Sequence, residues 1–261
     1  MTLIIGIKCR DGVAVGADSA ATLGNPIGLS TVIQPMAKLN VIRDSAILAT
    51  SGPVGLAQLH VDSVDGRWNS LREADAAAAC RSLRDALRPD VEVCLKMSSL
   101  AASIMGQGAR TPVVHSSVLA IAPKRRPLLI QFDYLCNPEV ATDDLPFVSI
   151  GSGQPIADPF LAFLRHTFWK DRLPCLSEGI LAIVWTLTHA IRTATGGIAG
   201  PIQAATLTIR GTQPEARLLT HEEIEEHSLN VGEAEKHLTQ FRILHQPTAD
   251  EPQPPQPPRP P

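Results

Sequence analysis

The stretch Thr2-Leu3-Ile4-Ile5-Gly6-Ile7-Lys8-Cys9-Arg10-Asp11-Gly12-Val13-Ala14-Val15-Gly16-Ala17-Asp18 decides the reading of the fold. Leu3 to Cys9 is rich in β-branched residues, Asp11-Gly12 is a strong tight-turn pair, and Val13 to Asp18 runs back beside the first segment. A second hairpin is expected from Ala37–Ile42 and Ala46–Thr50, turning at Arg43-Asp44-Ser45. Between them the Gly- and Pro-punctuated segment from Ser19 to Gln34 reads as a loop.

At Ser51-Gly52-Pro53 the pattern changes to helix, with proline suited to a first helical turn. Val54 to Met105 is Ala- and Leu-rich, with breaks expected near Asp65-Gly66 and Arg88-Pro89. Strands resume at Ser116–Ala122, Leu128–Phe132 and Phe147–Ile150. Helices follow at 155–169 and 177–192, the second carrying Ile180, Val184, Leu187 and Ile191 on one face. Strands Gln203–Ile209 and Ala216–Leu219 and a polar helix from His221 come last. Elements that arrive in blocks, without strict β–α alternation, argue for stacked α+β layers over a Rossmann or barrel sheet. One domain is expected over 2–244. The stretch 245–261, HQPTADEPQPPQPPRPP, has no apolar surface to bury and is expected as an extended, disordered tail.

Composition narrows the function. The 261 residues are 44% hydrophobic and 19% charged, with a net charge of −3, so no basic excess is available for binding nucleic acid through bulk charge. The five cysteines are an odd, scattered set without a CxxC pair, which fits a reducing compartment and neither a disulfide framework nor a metal cluster. No apolar run is long enough to span a membrane, and the N-terminal stretch lacks the features of a signal peptide, so the cytoplasm is expected. His221 and His227 flank an acidic run but sit six positions apart, on different sides of a helix, so they do not form a zincin pair. Ser152 in Gly151-Ser152-Gly153 lacks the glycine spacing of a nucleophile elbow. No phosphate-binding glycine loop is present, and no cofactor or metal is expected.

Thr2 is the informative residue. Removal of Met1 would leave a threonine with both a hydroxyl and a free α-amine, and such an amine, with an ordinary pKa of about 7.7–8.0, can act as general base for the hydroxyl.

The segments Thr2–Ile7 and Asp11–Thr22, together with Met36-Ala37-Lys38-Leu39-Asn40-Val41-Ile42, resemble the opening of proteasome β-type subunits and their bacterial relatives. Ser51-Gly52-Pro53-Val54-Gly55-Leu56-Ala57 resembles the strand-to-helix junction of the same family. Ile150-Gly151-Ser152-Gly153-Gln154-Pro155 is similar to its GSG turn, and Ala194-Thr195-Gly196-Gly197 to its later SGG loop. The resemblance keeps its order across residues 2 to 225. It implies a four-layer αββα sandwich of the N-terminal-nucleophile (Ntn) hydrolases, with two stacked antiparallel sheets, and a threonine endopeptidase acting on unfolded polypeptide.

Carried over by position, the resemblance makes Thr2 the nucleophile, Asp18 the partner of Lys38, and Lys38 the group that eases deprotonation of the threonine. Gly52 N–H becomes the oxyanion donor, and Ser152 a hydrogen-bond partner of the threonine amine. Thr22 and Gly52 offer backbone groups to an extended peptide, and Thr195 supplies the hydroxyl of the SGG loop. It also implies homo-oligomeric stacked rings, with a regulatory ATPase as candidate partner, among self-compartmentalising relatives such as HslV, Anbu and the β-proteobacterial homologue. A catalytically silent ring subunit and an Ntn amidase for small molecules are the alternatives.

Two features depart from the family. The segment between Thr22 and Lys38 is long, and Arg192 stands where the family carries an aspartate. Arg192 either places a positive charge near the threonine amine or points outward and complements the negative end of its helix.

Overall fold

The computed structural model describes residues 2–24, 30–105, 115–170, 172–194 and 197–244. The expected tail and Thr195 therefore lie outside the described residues. Strands β1 (Ile4–Cys9) and β2 (Gly12–Ala17) form the expected hairpin, pairing antiparallel from Ile4↔Ala17 to Cys9↔Gly12. The turn is Arg10-Asp11, one residue earlier than the sequence suggests. Gly12 is already part of β2, where a Cβ would sit 2.4 Å from the Leu207 carbonyl oxygen. Close approach of a neighbouring strand, and not turn geometry, explains that glycine.

The loop expected over Ser19–Gln34 is instead a two-stranded ribbon, β3 (Ala20–Gly24) against β4 (Ser30–Pro35). The β-branched run Thr31-Val32-Ile33 pairs across to β3, a signal that the surrounding Gly and Pro punctuation obscured. Strands β5 (Leu39–Ile42) and β6 (Ala46–Ser51) follow, and Arg43 and Asp44 at their turn take φ of +51° and +47°.

Helices α1 (Val54–Gly66), α2 (Trp68–Glu73) and α3 (Ala76–Met105) come next. The break near Gly66 is present, whereas the one expected at Pro89 is not: α3 runs through it. Proline removes one helical hydrogen bond. Leu83, Leu87 and Val91 nevertheless stay buried at four-residue spacing across it, so core packing holds both halves on one axis.

Strands β7 (Ser116–Ile121), β8 (Leu128–Phe132), β9 (Pro138–Val140) and β10 (Phe147–Ile150) precede α4 (Gln154–Leu164), which widens into a π-helical turn at Arg165–Trp169. Helix α5 (Leu176–Thr193), strands β11 (Gln203–Arg210) and β12 (Gln213–Leu218), and α6 (His221–Leu244) complete the order.

Two five-stranded antiparallel sheets result, in the orders β10-β1-β2-β11-β12 and β5-β6-β7-β8-β9. Their side chains alternate between two buried faces. Ile4, Val13, Val15 and Ala17 of the first sheet meet Leu39, Ile47, Ala49, Val118 and Leu129 of the second. Ile5, Ile7 and Ala14 point the other way, onto Leu161, Ile183, Leu187 and Val231 of the α4–α6 layer. Leu48, Leu119, Ile121 and Phe132 face Val64, Trp68, Leu71 and Leu83 of the α1–α3 layer. The stacking is αββα, and hydrophobic burial on both faces of both sheets holds it together. No described helix is long and apolar enough to cross a membrane.

At Gly16 the first sheet closely approaches α5: a Cβ there would lie 2.2 Å from Ile183 Cγ2. Gly16→Ala is expected to destabilise the fold by about 1–3 kcal/mol in urea denaturation, as overpacking of a filled core does. Gly6→Ala should cost less, because its close neighbour, Leu129 Cδ1 at 2.6 Å, ends a flexible side chain.

Between α1 and β7, His60 Nδ1 and His115 Nε2 lie 3.4 Å apart, with both rings buried. Burial pushes their pKa values down to about 3 and about 4, and the neighbouring imidazole lowers that of His60 further. The fold therefore holds both as neutral rings, while the unfolded chain binds protons near pH 6.5. Their contribution is complete above that pH and is lost as pH falls through about 4 for His115 and about 3 for His60. Urea midpoints should drop across this window, and a His60→Gln, His115→Gln variant should show a shallower drop.

Candidate active site

The sandwich brings the ends of five strands to one place. Thr2 precedes β1, Asp18 follows β2, Lys38 precedes β5, Gly52 follows β6 and Ser152 follows β10. Asp18 and Lys38 are nearly inaccessible to solvent, although they flank strands of different sheets. Lys38 Nζ lies 2.6 Å from Asp18 Oδ1 and 3.2 Å from Thr2 Oγ1.

Asp18 is held mostly by backbone. Its Oδ1 also accepts from Leu3 N–H at 2.8 Å, and its Oδ2 from Ala20 N–H at 3.0 Å and Ala199 N–H at 3.4 Å. Those amides satisfy a charge that burial would otherwise make costly. The lysine feels two opposed effects. Burial lowers its pKa, and the hydrogen bond and charge of Asp18 raise it; burial is the larger, so Lys38 titrates below an ordinary lysine.

Thr2 is fixed from the other side by the Gly151-Ser152-Gly153 turn. Thr2 N–H donates to Ser152 Oγ at 3.1 Å, and the Thr2 carbonyl accepts from Gly153 N–H at 3.1 Å. Gly151 takes φ +96°, and a Cβ there would meet the Thr2 carbonyl oxygen at 2.3 Å. Both facts require glycine at this position. Gly52 takes φ +131°, again glycine territory, between β6 and α1.

Thr2, Ala20, Ala21, Met36, Lys38, Thr50, Gly52, Val54 and Ser152 line one cleft of about 350 Å³. A threonine hydroxyl with a buried lysine amine beside it, opening on a cleft, is an arrangement that can support acyl transfer.

Of the residues singled out from sequence, Thr2, Asp18, Lys38, Gly52 and Ser152 converge here. Thr22 lies in β3, opposite Ile33. Arg192 points away from the site: its Nη1 lies 3.0 Å from Glu235 Oε1 on α6, and its side chain is 62% exposed. Of its two readings, the outward one holds. Sequence reasoning missed Ser19 and Gln203. Gln203 accepts a hydrogen bond from Lys38 N–H at 2.9 Å. Nothing local distinguishes a polar residue at the start of a strand, and only the pairing of distant segments exposes it.

Residues 2–166 match the family described as Proteasome subunit. The chain belongs to that family. Among its relatives, the proteasome subunit beta of Archaeoglobus profundus is 25% identical over 158 residues, 60% of this chain and 63% of the relative. With that of Methanohalophilus mahii at 65%, the chain spans less than two thirds of the archaeal subunits it matches. Among solved structures, the helical assembly of the Anbu complex from Pseudomonas aeruginosa superposes with a TM-score of 0.67 at 16% identity, covering 95% of this chain and 98% of that one. Anbu from Yersinia bercovieri gives 0.66 at 14% identity, covering 95% and 100%. These structures share the fold, two five-stranded antiparallel sheets flanked by helices.

Since Arg192 pairs at the surface, Arg192→Ala should change stability by less than about 1 kcal/mol, the range of exposed ion pairs. Chemical denaturation checks this.

Proposed function

We propose that the chain is a threonine endopeptidase subunit of a self-compartmentalising, proteasome-like assembly, with Thr2 as nucleophile once Met1 is removed. The observation that carries the reading is the position of Lys38 Nζ, 3.2 Å from Thr2 Oγ1 and anchored by Asp18.

In the first step Thr2 Oγ1 attacks the carbonyl carbon of the scissile peptide. A C–O bond forms, the carbonyl electrons move to oxygen, and the hydroxyl proton passes to a nitrogen base. Two bases are at hand. One is Lys38, whose pKa burial lowers against the pull of Asp18; the other is the α-amine of Thr2, which Met1 removal would create and which would keep the Ser152 contact. Gly52 N–H donates to the developing oxyanion. Collapse breaks the C–N bond, the leaving amine takes the proton, and water then hydrolyses the threonine ester by the same sequence in reverse order.

An extended substrate is read by backbone groups of Thr22 and Gly52, as an added strand would be. The helical assembly of the Anbu complex from Pseudomonas aeruginosa motivates a homo-oligomeric arrangement, of which stacked rings are one form. A regulatory ATPase is a candidate partner for feeding unfolded polypeptide. Ser152 completes the proposed set around the amine; Thr195, which the family resemblance adds, lies outside the described residues.

Thr2→Ala is expected to abolish turnover of a fluorogenic peptide. Lys38→Ala should lower kcat by about 10²–10⁴, the usual worth of a positioned proton acceptor. Circular dichroism and sizing profiles matching wild type would exclude global unfolding as the cause. A Lys38→Ala protein turning over at the wild-type rate would contradict the assignment.

A further inference from the structure

Gln203 opens β11 and pairs across to Ala17, the residue before Asp18. Its side chain makes three hydrogen bonds, including both that its amide nitrogen can donate. Oε1 accepts from Lys38 N–H at 2.9 Å, while Nε2 donates to the Met36 carbonyl at 2.7 Å and to Ser19 Oγ at 2.7 Å. The partners themselves fix this orientation, because a backbone N–H must donate and a carbonyl must accept. Ser19 extends the network by donating from its hydroxyl to the Pro201 carbonyl; its N–H bonds the Ala199 carbonyl, and its own carbonyl accepts from Met36 N–H.

Three chain segments therefore meet at one amide: the residues after β2, the residues before β5, and the entry to β11. The first carries Asp18 and the second carries Lys38. We infer that Gln203 is a positioning residue of the active site, clamping Met36–Lys38 to Ser19 and to the first sheet so that Lys38 Nζ is held against Thr2 Oγ1. The inference rests on the reading of Thr2 and Lys38 given above.

The chemistry of the side chain is specific. Lys38 lies outside the ladder of β5, so its main-chain N–H has no strand partner and takes Gln203 instead. A carboxylate of the same length could still accept from that N–H but has no donor for the Met36 carbonyl. A leucine of similar volume offers neither. Either change frees the 36–38 segment at the point where it sets the base of the lysine side chain. Misplacement of a reacting group by about 1 Å can cost about 10²-fold in rate. Asp18 and Lys38 are the charged groups carried by the clamped segments. A carboxylate introduced here would add a second negative charge beside the lysine and favour its ammonium form.

The test compares wild type, Gln203→Glu, Gln203→Leu and Gln203→Asn on one fluorogenic peptide, with steady-state kinetics, pH–rate profiles, melting and sizing. The expected result for Gln203→Glu is a kcat lower by about 10–100-fold. KM should stay within about threefold, and the pH–rate profile should move to higher pH, which a merely structural defect would not produce. Gln203→Leu should lose kcat similarly without that displacement. Gln203→Asn keeps the amide on a shorter stem and should recover part of the loss. Wild-type kcat with a superimposable profile in the Glu variant overturns the inference and leaves the Thr2 reading intact. If the Glu variant fails to fold, an Asn variant no more active than the Leu variant overturns it as well. Wild-type turnover that survives Thr2→Ala overturns the underlying reading, and the inference with it.

Discussion

Everything at the site hangs on one buried ion pair, Asp18 with Lys38, that spans the two sheets. Each residue alone would be expensive to bury; together, and with the amides of Leu3 and Ala20 supplying further bonds to the carboxylate, they are accommodated. The apolar layer between the sheets sets their separation, so packing of Val15, Ala17, Leu39 and Ala49 fixes how far Lys38 stands from Asp18. Removing one partner would strand the other charge in that layer, at a cost of about 3–5 kcal/mol. Stability and chemistry here share the same two side chains.

Thr2 gains its geometry from a second constraint, the close passage of the glycine turn over its carbonyl. Gly151 and Gly153 let the turn approach within contact of Thr2 and Leu3, and Ser152 between them reaches the Thr2 nitrogen. Thr2 is thus clamped on its main-chain side by the turn after β10 and on its side-chain side by Lys38. A residue placed before the first strand would otherwise fray.

Much of this architecture was legible in the sequence. The β-branched apolar runs and the turn residues between them gave the central strands, and the Gly-Pro step after Ser51 gave the start of α1, because those signals are local. The β3–β4 ribbon was hidden since its turn chemistry spoke louder than its short β-branched run. Pro89 was misleading because a tertiary apolar face outweighed a backbone preference. Convergence of Thr2, Asp18, Lys38, Gly52 and Ser152 could be expected only through the family resemblance, as no spacing rule joins positions so far apart. The roles of Gln203 and of the Arg192–Glu235 pair were illegible for the same reason: both depend on which distant segments touch.

The central claim is that one residue, Thr2, supplies both a hydroxyl nucleophile and a free amine. The most direct measurement is intact and peptide-level mass spectrometry of the purified protein after reaction with a peptide epoxyketone, a reagent that needs both groups on one residue to close its ring. The account predicts a chain lacking Met1 that carries a single adduct on the peptide beginning at Thr2. A protein that retains Met1 yet hydrolyses peptides, or an adduct on any other residue, would contradict it.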